Sequence, residues 1–153
     1  MSLAAGSVQS TRRAGWHGAE CSRYSPETPI VLVDTSVWIR FLSNQSLYVS
    51  VLPTLLKNRQ VLSHPFVAGE LLMGDIGNGR QQLLADHKLL FKAALLENGE
   101  VEEFVKRRAL TGQGIGWIDA HLLASALVER AQLWTADTRL HAIAIGLGVS
   151  YQP

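Results

Sequence analysis

Four carboxylates draw attention in this 153-residue chain because of what surrounds them. Asp34 ends the apolar run Ile30-Val31-Leu32-Val33 and precedes Thr35-Ser36, and Asp137 ends the run Leu133-Trp134-Thr135-Ala136. Glu70 lies inside Phe66-Val67-Ala68-Gly69-Glu70-Leu71-Leu72-Met73, with apolar neighbours on both sides, and Asp119 follows Trp117-Ile118 at the start of a long helical pattern. Each has an ordinary structural use when taken singly. Asp34 and Asp137 suit helix N-caps, Asp119 suits a first turn where an acid meets the helix dipole, and a lone Glu70 suits a solvated helix face. Convergence changes the reading. A parallel sheet delivers Asp34 and Asp137 to one edge, and helix starts can lean over it. Carboxylates gathered there would repel one another unless a cation neutralises them. Hard oxygen donors with no His/Cys set select Mg²⁺ or Mn²⁺. The chemistry such a site supports is in-line attack of an activated water on a phosphodiester, with one metal or two.

The elements that must position these acids follow from periodicity. A continuous β-branched run ending at Asp34 predicts a central parallel strand covered on both faces, with Asp-Thr-Ser opening a helix through Leu42. Tyr48, Val51, Leu52, Leu55 and Leu56 predict an amphipathic helix that contains Pro53 and could bend there. Val61-Leu62 reads as a second strand. Pro65, acceptable in a first turn, opens a helix that stops at Gly74. Helices are then expected over 80–95 and 101–108. Thr111-Gly112-Gln113-Gly114-Ile115-Gly116 predicts a backbone that must bend close to something. A helix from Trp117 to about Ala131, a strand over 133–136, a helix over 138–145 and an edge strand over 149–151 complete the order β-α-α-β-α-α-α-α-β-α-β. Crevices outside the carboxyl ends of such strands are where α/β sheets collect ligands.

Length predicts one domain, over residues 29–153, after an N-terminal extension, residues 1–28, whose Ser, Gly and Arg content predicts disorder. Outside that extension the charges balance, 11 Lys/Arg against 11 Asp/Glu. If the four acids share a metal, a modestly positive surface is left, which suits a phosphate-bearing substrate. A single cysteine, Cys21, excludes an internal disulfide framework and a cysteine-rich zinc site and points to the reducing cytoplasm. No apolar run approaches the roughly 20 residues of a membrane helix, so no membrane association is expected.

The motifs Ile30-Val31-Leu32-Val33-Asp34-Thr35-Ser36-Val37-Trp38-Ile39, Pro65-Phe66-Val67-Ala68-Gly69-Glu70-Leu71, Gly114 to Ala126 and Leu133-Trp134-Thr135-Ala136-Asp137 occur in one order across residues 30–151. In this the chain resembles PIN-domain ribonucleases and, among them, VapC-type toxins of bacterial toxin–antitoxin pairs. The resemblance implies an α/β/α sandwich with a small, mainly parallel central sheet. It implies that Asp34, Glu70, Asp119 and Asp137 hold Mg²⁺ or Mn²⁺ as a catalytic quartet, with the Ser36 and Thr135 hydroxyls hydrogen-bonded to carboxylates. It also implies cleavage of single-stranded or looped RNA to 5′-phosphate and 3′-hydroxyl ends, homodimerisation, and silencing by a small antitoxin. The competing reading is a catalytically silent PIN-like module that binds RNA or protein; an intact set of four acids argues against it.

Arg139, two residues past Asp137, is expected to contact RNA phosphate, and Arg40 is a weaker candidate. Lys106-Arg107-Arg108 is read as a solvated helical face, because Glu102 and Glu103 precede Lys106 and Arg107 at the favourable spacing. His121 and the indoles of Trp38, Trp117 and Trp134 are read as packing. A phosphoaspartyl phosphatase would need a second aspartate where Ser36 stands, and a phosphorylated receiver domain would need adjacent acids near the first strand.

Overall fold

Strand β1 (Val31–Val33) is buried at every residue, as an apolar run without polar alternation requires. It pairs in parallel with β2 (Val61–Ser63) on one side and β4 (Gln132–Trp134) on the other, and β2 pairs in parallel with β3 (Phe91–Lys92). The sheet order is β3-β2-β1-β4. The computed structural model describes residues 28–153, so the expectation for the N-terminal extension lies, except for its last residue, outside the described residues.

Helices α1 (Thr35–Leu42) and α2 (Ser46–Lys57) connect β1 to β2, and α3 (Pro65–Met73) and α4 (Arg80–Lys88) connect β2 to β3. Helices α5 (Asn98–Arg107) and α6 (Trp117–Glu129) connect β3 to β4, and α7 (Thr138–Gly146) follows. Seven helices therefore flank four parallel strands among the described residues, the expected α/β/α sandwich. None of them is long and apolar enough to cross a membrane. The core joins β1 to Val37, Leu52, Val67, Leu71, Leu122, Leu123, Leu133 and Leu140, all fully buried. At roughly 1.5–3 kcal/mol for each such side chain, this apolar burial is what holds the helices on the sheet.

The expected helix over 80–95 is wrong in its second half. Helix α4 ends at Lys88, Leu89 is 85% exposed, and Phe91-Lys92 pairs with Leu62-Ser63 as an edge strand. The apolar residues after Lys88 continue a helix-like pattern, but the open edge of β2 offers them ladder hydrogen bonds instead. Helix α5 starts at Asn98, earlier than expected, because the Glu100 carboxylate reaches back to the Glu97 N–H at 3.0 Å. Helix α2 runs through Pro53, and Gly74 caps α3 without entering the left-handed region. The final edge strand reduces to one bridge, Leu133 to Ser150, flanked by Leu133 N–H to Val149 O and Tyr151 N–H to Leu133 O.

Candidate active site

The site grows from the joint between β1 and β4. Asp34 occupies the N-cap position of α1, yet its side chain caps nothing. Its Oδ2 accepts the Ser36 hydroxyl at 2.6 Å and the Thr135 hydroxyl at 2.8 Å. The same hydroxyl oxygens accept backbone N–H groups, Ser36 Oγ from Ala136 at 2.9 Å and Thr135 Oγ1 from Asp137 at 3.1 Å. A hydroxyl has one proton and two lone pairs. Each accepts a backbone N–H on one lone pair and donates its proton to Asp34, so the carboxylate is held by charge-assisted bonds from residues beside both strand ends, with the two hydroxyl oxygens 3.3 Å apart.

Asp137 sits where β4 hands over to α7, and its Oδ1 accepts the N–H groups of Arg139 and Leu140, each at 2.9 Å. That is an N-cap, and it uses one oxygen. Asp119, in the first turn of α6, accepts the Gly116 N–H on Oδ2 at 3.0 Å. Its carboxyl is raised above the ordinary carboxylate range, chiefly by burial and further by the charges of Asp34 and Asp137, against the lowering effect of the Gly116 hydrogen bond. Three acids from distant parts of the chain thus share one field. Glu70, exposed on α3, accepts the Thr35 hydroxyl on Oε2.

Each of the four carboxylates is therefore held through one oxygen, while its second oxygen has no hydrogen-bond partner among the described residues. No three His, Cys, Asp or Glu side chains among the described residues are close enough to enclose an ion by themselves. A small hard cation that keeps several waters and takes one or two carboxylates suits this arrangement better than an all-protein cage does.

Arg139 lies in the first turn of α7, two residues past Asp137. Arg40 is not brought to the site: it lies in the last turn of α1, about 9 Å along the axis from Asp34, with its Nη1 donating to Gln45 Oε1 at 3.1 Å and its guanidinium over Tyr48. Arg107 pairs with Glu103 at 2.8 Å on an exposed face. Trp38, Trp134 and His121 are buried, but Trp117 is 44% exposed with its ring edge-on to His121, which is more open than packing alone predicts.

Sequence reasoning overlooked Thr35, whose signal was a hydroxyl directly after the first acid. It also overlooked His64, whose Nδ1 accepts the Phe66 N–H at 3.1 Å and so caps α3, the helix carrying Glu70. That bond needs a lone pair on Nδ1, and burial, followed by the neighbouring His121, pushes the imidazole down to about 4.

The PIN domain family model matches residues 31–146, which contain all four acids. Ribonuclease VapC32 of Mycobacterium tuberculosis is 40% identical over 122 residues, covering 79% of this chain and 95% of that protein, in both strain CDC 1551 / Oshkosh and strain ATCC 25618 / H37Rv. With the parallel sheet, the stitched β1 and β4 ends and a match over nearly the whole length of these relatives, the chain belongs to the PIN-domain family, among its VapC-type members.

Proposed function

We propose that this protein is a Mg²⁺- or Mn²⁺-dependent endoribonuclease and the toxin of a toxin–antitoxin pair, acting in the cytoplasm. The observation that carries the reading is the set of four carboxylates, each anchored by one oxygen with the other uncommitted among the described residues. In this reading Asp34, Glu70, Asp119 and Asp137 are both catalytic and metal-holding, one or two of them bound to the cation directly and the others through its waters. A bound divalent cation supplies the Lewis acidity that generates a nucleophile from water at neutral pH. Ser36 and Thr135 keep Asp34 oriented, Thr35 keeps Glu70 oriented, and the anchored carboxylates bear the cost of mutual repulsion until the cation is present. Arg139 contacts an RNA phosphate.

The relatives' name, Ribonuclease VapC32, supports RNA as substrate and a small antitoxin as partner. Exposed Ile39 on α1, Leu47 on α2, and Leu72 and Met73 on α3 supply apolar surface for that partner or for a second copy. A shallow groove lined by Ile39, Leu42 and Ile76 lies between α1 and the end of α3. We read the protein as a homodimer that the antitoxin silences, and sedimentation at tens of micromolar tests the dimer.

The deciding experiment incubates purified protein with single-stranded and hairpin RNA in Mg²⁺, in Mn²⁺ and in excess EDTA. Cleavage to 5′-phosphate ends in either metal and none in EDTA is expected. RNA that survives all three conditions would return the chain to the class of silent binding modules.

A further inference from the structure

The glycine run before Asp119 implies a close approach, and the fold shows to what. Gly114 has φ +79°, and a Cβ built there would stand 2.8 Å from Arg139 Nη1 and 3.0 Å from Arg139 Cδ. The arginine side chain therefore lies across the bare face of Gly114. Both partners are tied to the acidic site within two residues, since Gly116 N–H donates to Asp119 and Arg139 N–H donates to Asp137. Among the described residues the Arg139 guanidinium makes no ion pair and no hydrogen bond.

We propose that Gly114 is a positioning residue for substrate: because it lacks a side chain, the Arg139 guanidinium can lie beside the acidic cluster and take one phosphate of the RNA strand. This rests on the reading of the site as an RNA-cleaving one. A planar guanidinium laid on a backbone face keeps its donor fork aimed and loses less freedom on meeting a phosphate. A methyl group at Gly114 would displace it. The displaced atoms are the far end of a flexible side chain, so the fold tolerates the change while the charge moves. The same loop contains a control, because Gly112 has φ +74° with nothing within 4 Å of its would-be Cβ. Alanine at either position carries the same left-handed strain, but only at Gly114 does it meet Arg139.

The test compares full-length Gly114→Ala, Gly112→Ala, Arg139→Ala and the Gly114→Ala/Arg139→Ala double variant. Binding of a short fluorescein-labelled single-stranded RNA is followed by anisotropy over a range of salt, with Ca²⁺ replacing Mg²⁺ to hold back cleavage. Gly114→Ala and Arg139→Ala should each weaken binding about tenfold and lower the salt slope by about 0.7, the value for one phosphate contact on a single strand. The double variant should bind no more weakly than Arg139→Ala alone. Gly112→Ala should lose as much melting temperature as Gly114→Ala yet bind RNA like the parent. Gly114→Asn, which tolerates the left-handed region but carries the same Cβ, should reproduce the binding loss with a smaller thermal shift, so a poorly folding alanine variant does not blunt the test. A parent that binds RNA while Gly114→Ala or Gly114→Asn binds equally well overturns the inference alone, as does additivity in the double variant. A parent that fails to bind RNA overturns the RNA reading and this inference together.

Discussion

The hydroxyl of Thr35, at the first position of α1, donates to Oε2 of Glu70 in the body of α3. Glu70 is the most exposed kind of site residue, a long side chain on a helix surface, and left to itself it would sample several rotamers. The Thr35 bond selects one and ties it to the residue directly after Asp34. Thr35→Val, which keeps the shape and removes the donor, should weaken Mg²⁺ binding by about 10- to 100-fold with little change in melting temperature of the metal-free protein. Thr35→Ser should restore most of the affinity. Calorimetric titration with Mg²⁺ checks both, and an unchanged affinity in the valine variant would remove Thr35 from the site.

Glu70→Gln should abolish cleavage while leaving the fold intact, because the amide oxygen can still accept from Thr35 but the charge is lost. An RNA cleavage assay with matched circular dichroism spectra decides this, and a variant as active as the parent would exclude Glu70 from the chemistry.

At Asp137 capping and metal-holding need not compete, because one oxygen caps α7 and the other has no hydrogen-bond partner among the described residues. Asp137→Asn preserves the capping oxygen and removes a charge that raises the Asp119 carboxyl. Its metal-free melting temperature should equal or exceed the parent's. Asp137→Ala loses the cap, worth about 1 kcal/mol, partly offset by the relieved repulsion. Both variants should be inactive, and both should gain less melting temperature from Mg²⁺, since linked stabilisation follows affinity. Thermal melts with and without Mg²⁺ measure this; an Asp137→Asn variant cutting RNA at the parent rate would refute the assignment.

Asp119 gives a pH dependence of defined sign. Its folded carboxyl is raised, so between the unfolded value and the folded one the native state binds the extra proton, and metal-free stability increases as pH falls through that window. At neutral pH the ionised group opposes folding. Asp119→Asn should therefore melt at a higher temperature than the parent near pH 7 without metal. A divalent cation needs the ionised form, so the Mg²⁺-induced rise in melting temperature should shrink as pH enters the same window. A Mg²⁺ response that stays constant down to the ordinary carboxylate range would contradict this.

His64 and His87 act in the opposite direction. Both are buried and lowered to about 4, His64 by burial and then His121, His87 by burial and then Lys92. The unfolded chain binds their protons below pH 6.5 while the native state does not, so stability falls from pH 6.5 down to about 4, by on the order of 3 kcal/mol for each histidine. Urea midpoints across this range should decline, and His87→Leu should flatten part of the decline. A midpoint independent of pH over the same interval would rule the account out.

What the amino-acid order determined by itself was local. A mainly apolar run stopping at Asp34 or Asp137 specifies a buried strand feeding a helix, because a strand covered on both faces reads as a near-continuous apolar run. The repeat from Ile118 to Glu129 specifies a helix wherever it is placed. The tertiary structure decided the rest, because it depended on which surfaces met. Phe91-Lys92 became a strand only because β2 left an edge unpaired. Thr135 reaches Asp34 from 101 residues away, and Thr35 reaches Glu70 across 35, pairings that no local periodicity encodes. Gly114 announced a close approach, but that its neighbour is Arg139 follows only once the fold has brought the loop before α6 against the first turn of α7. Local sequence sets backbone preference within a few residues, whereas the distances among four carboxylates depend on the packing of the sheet and helices that carry them.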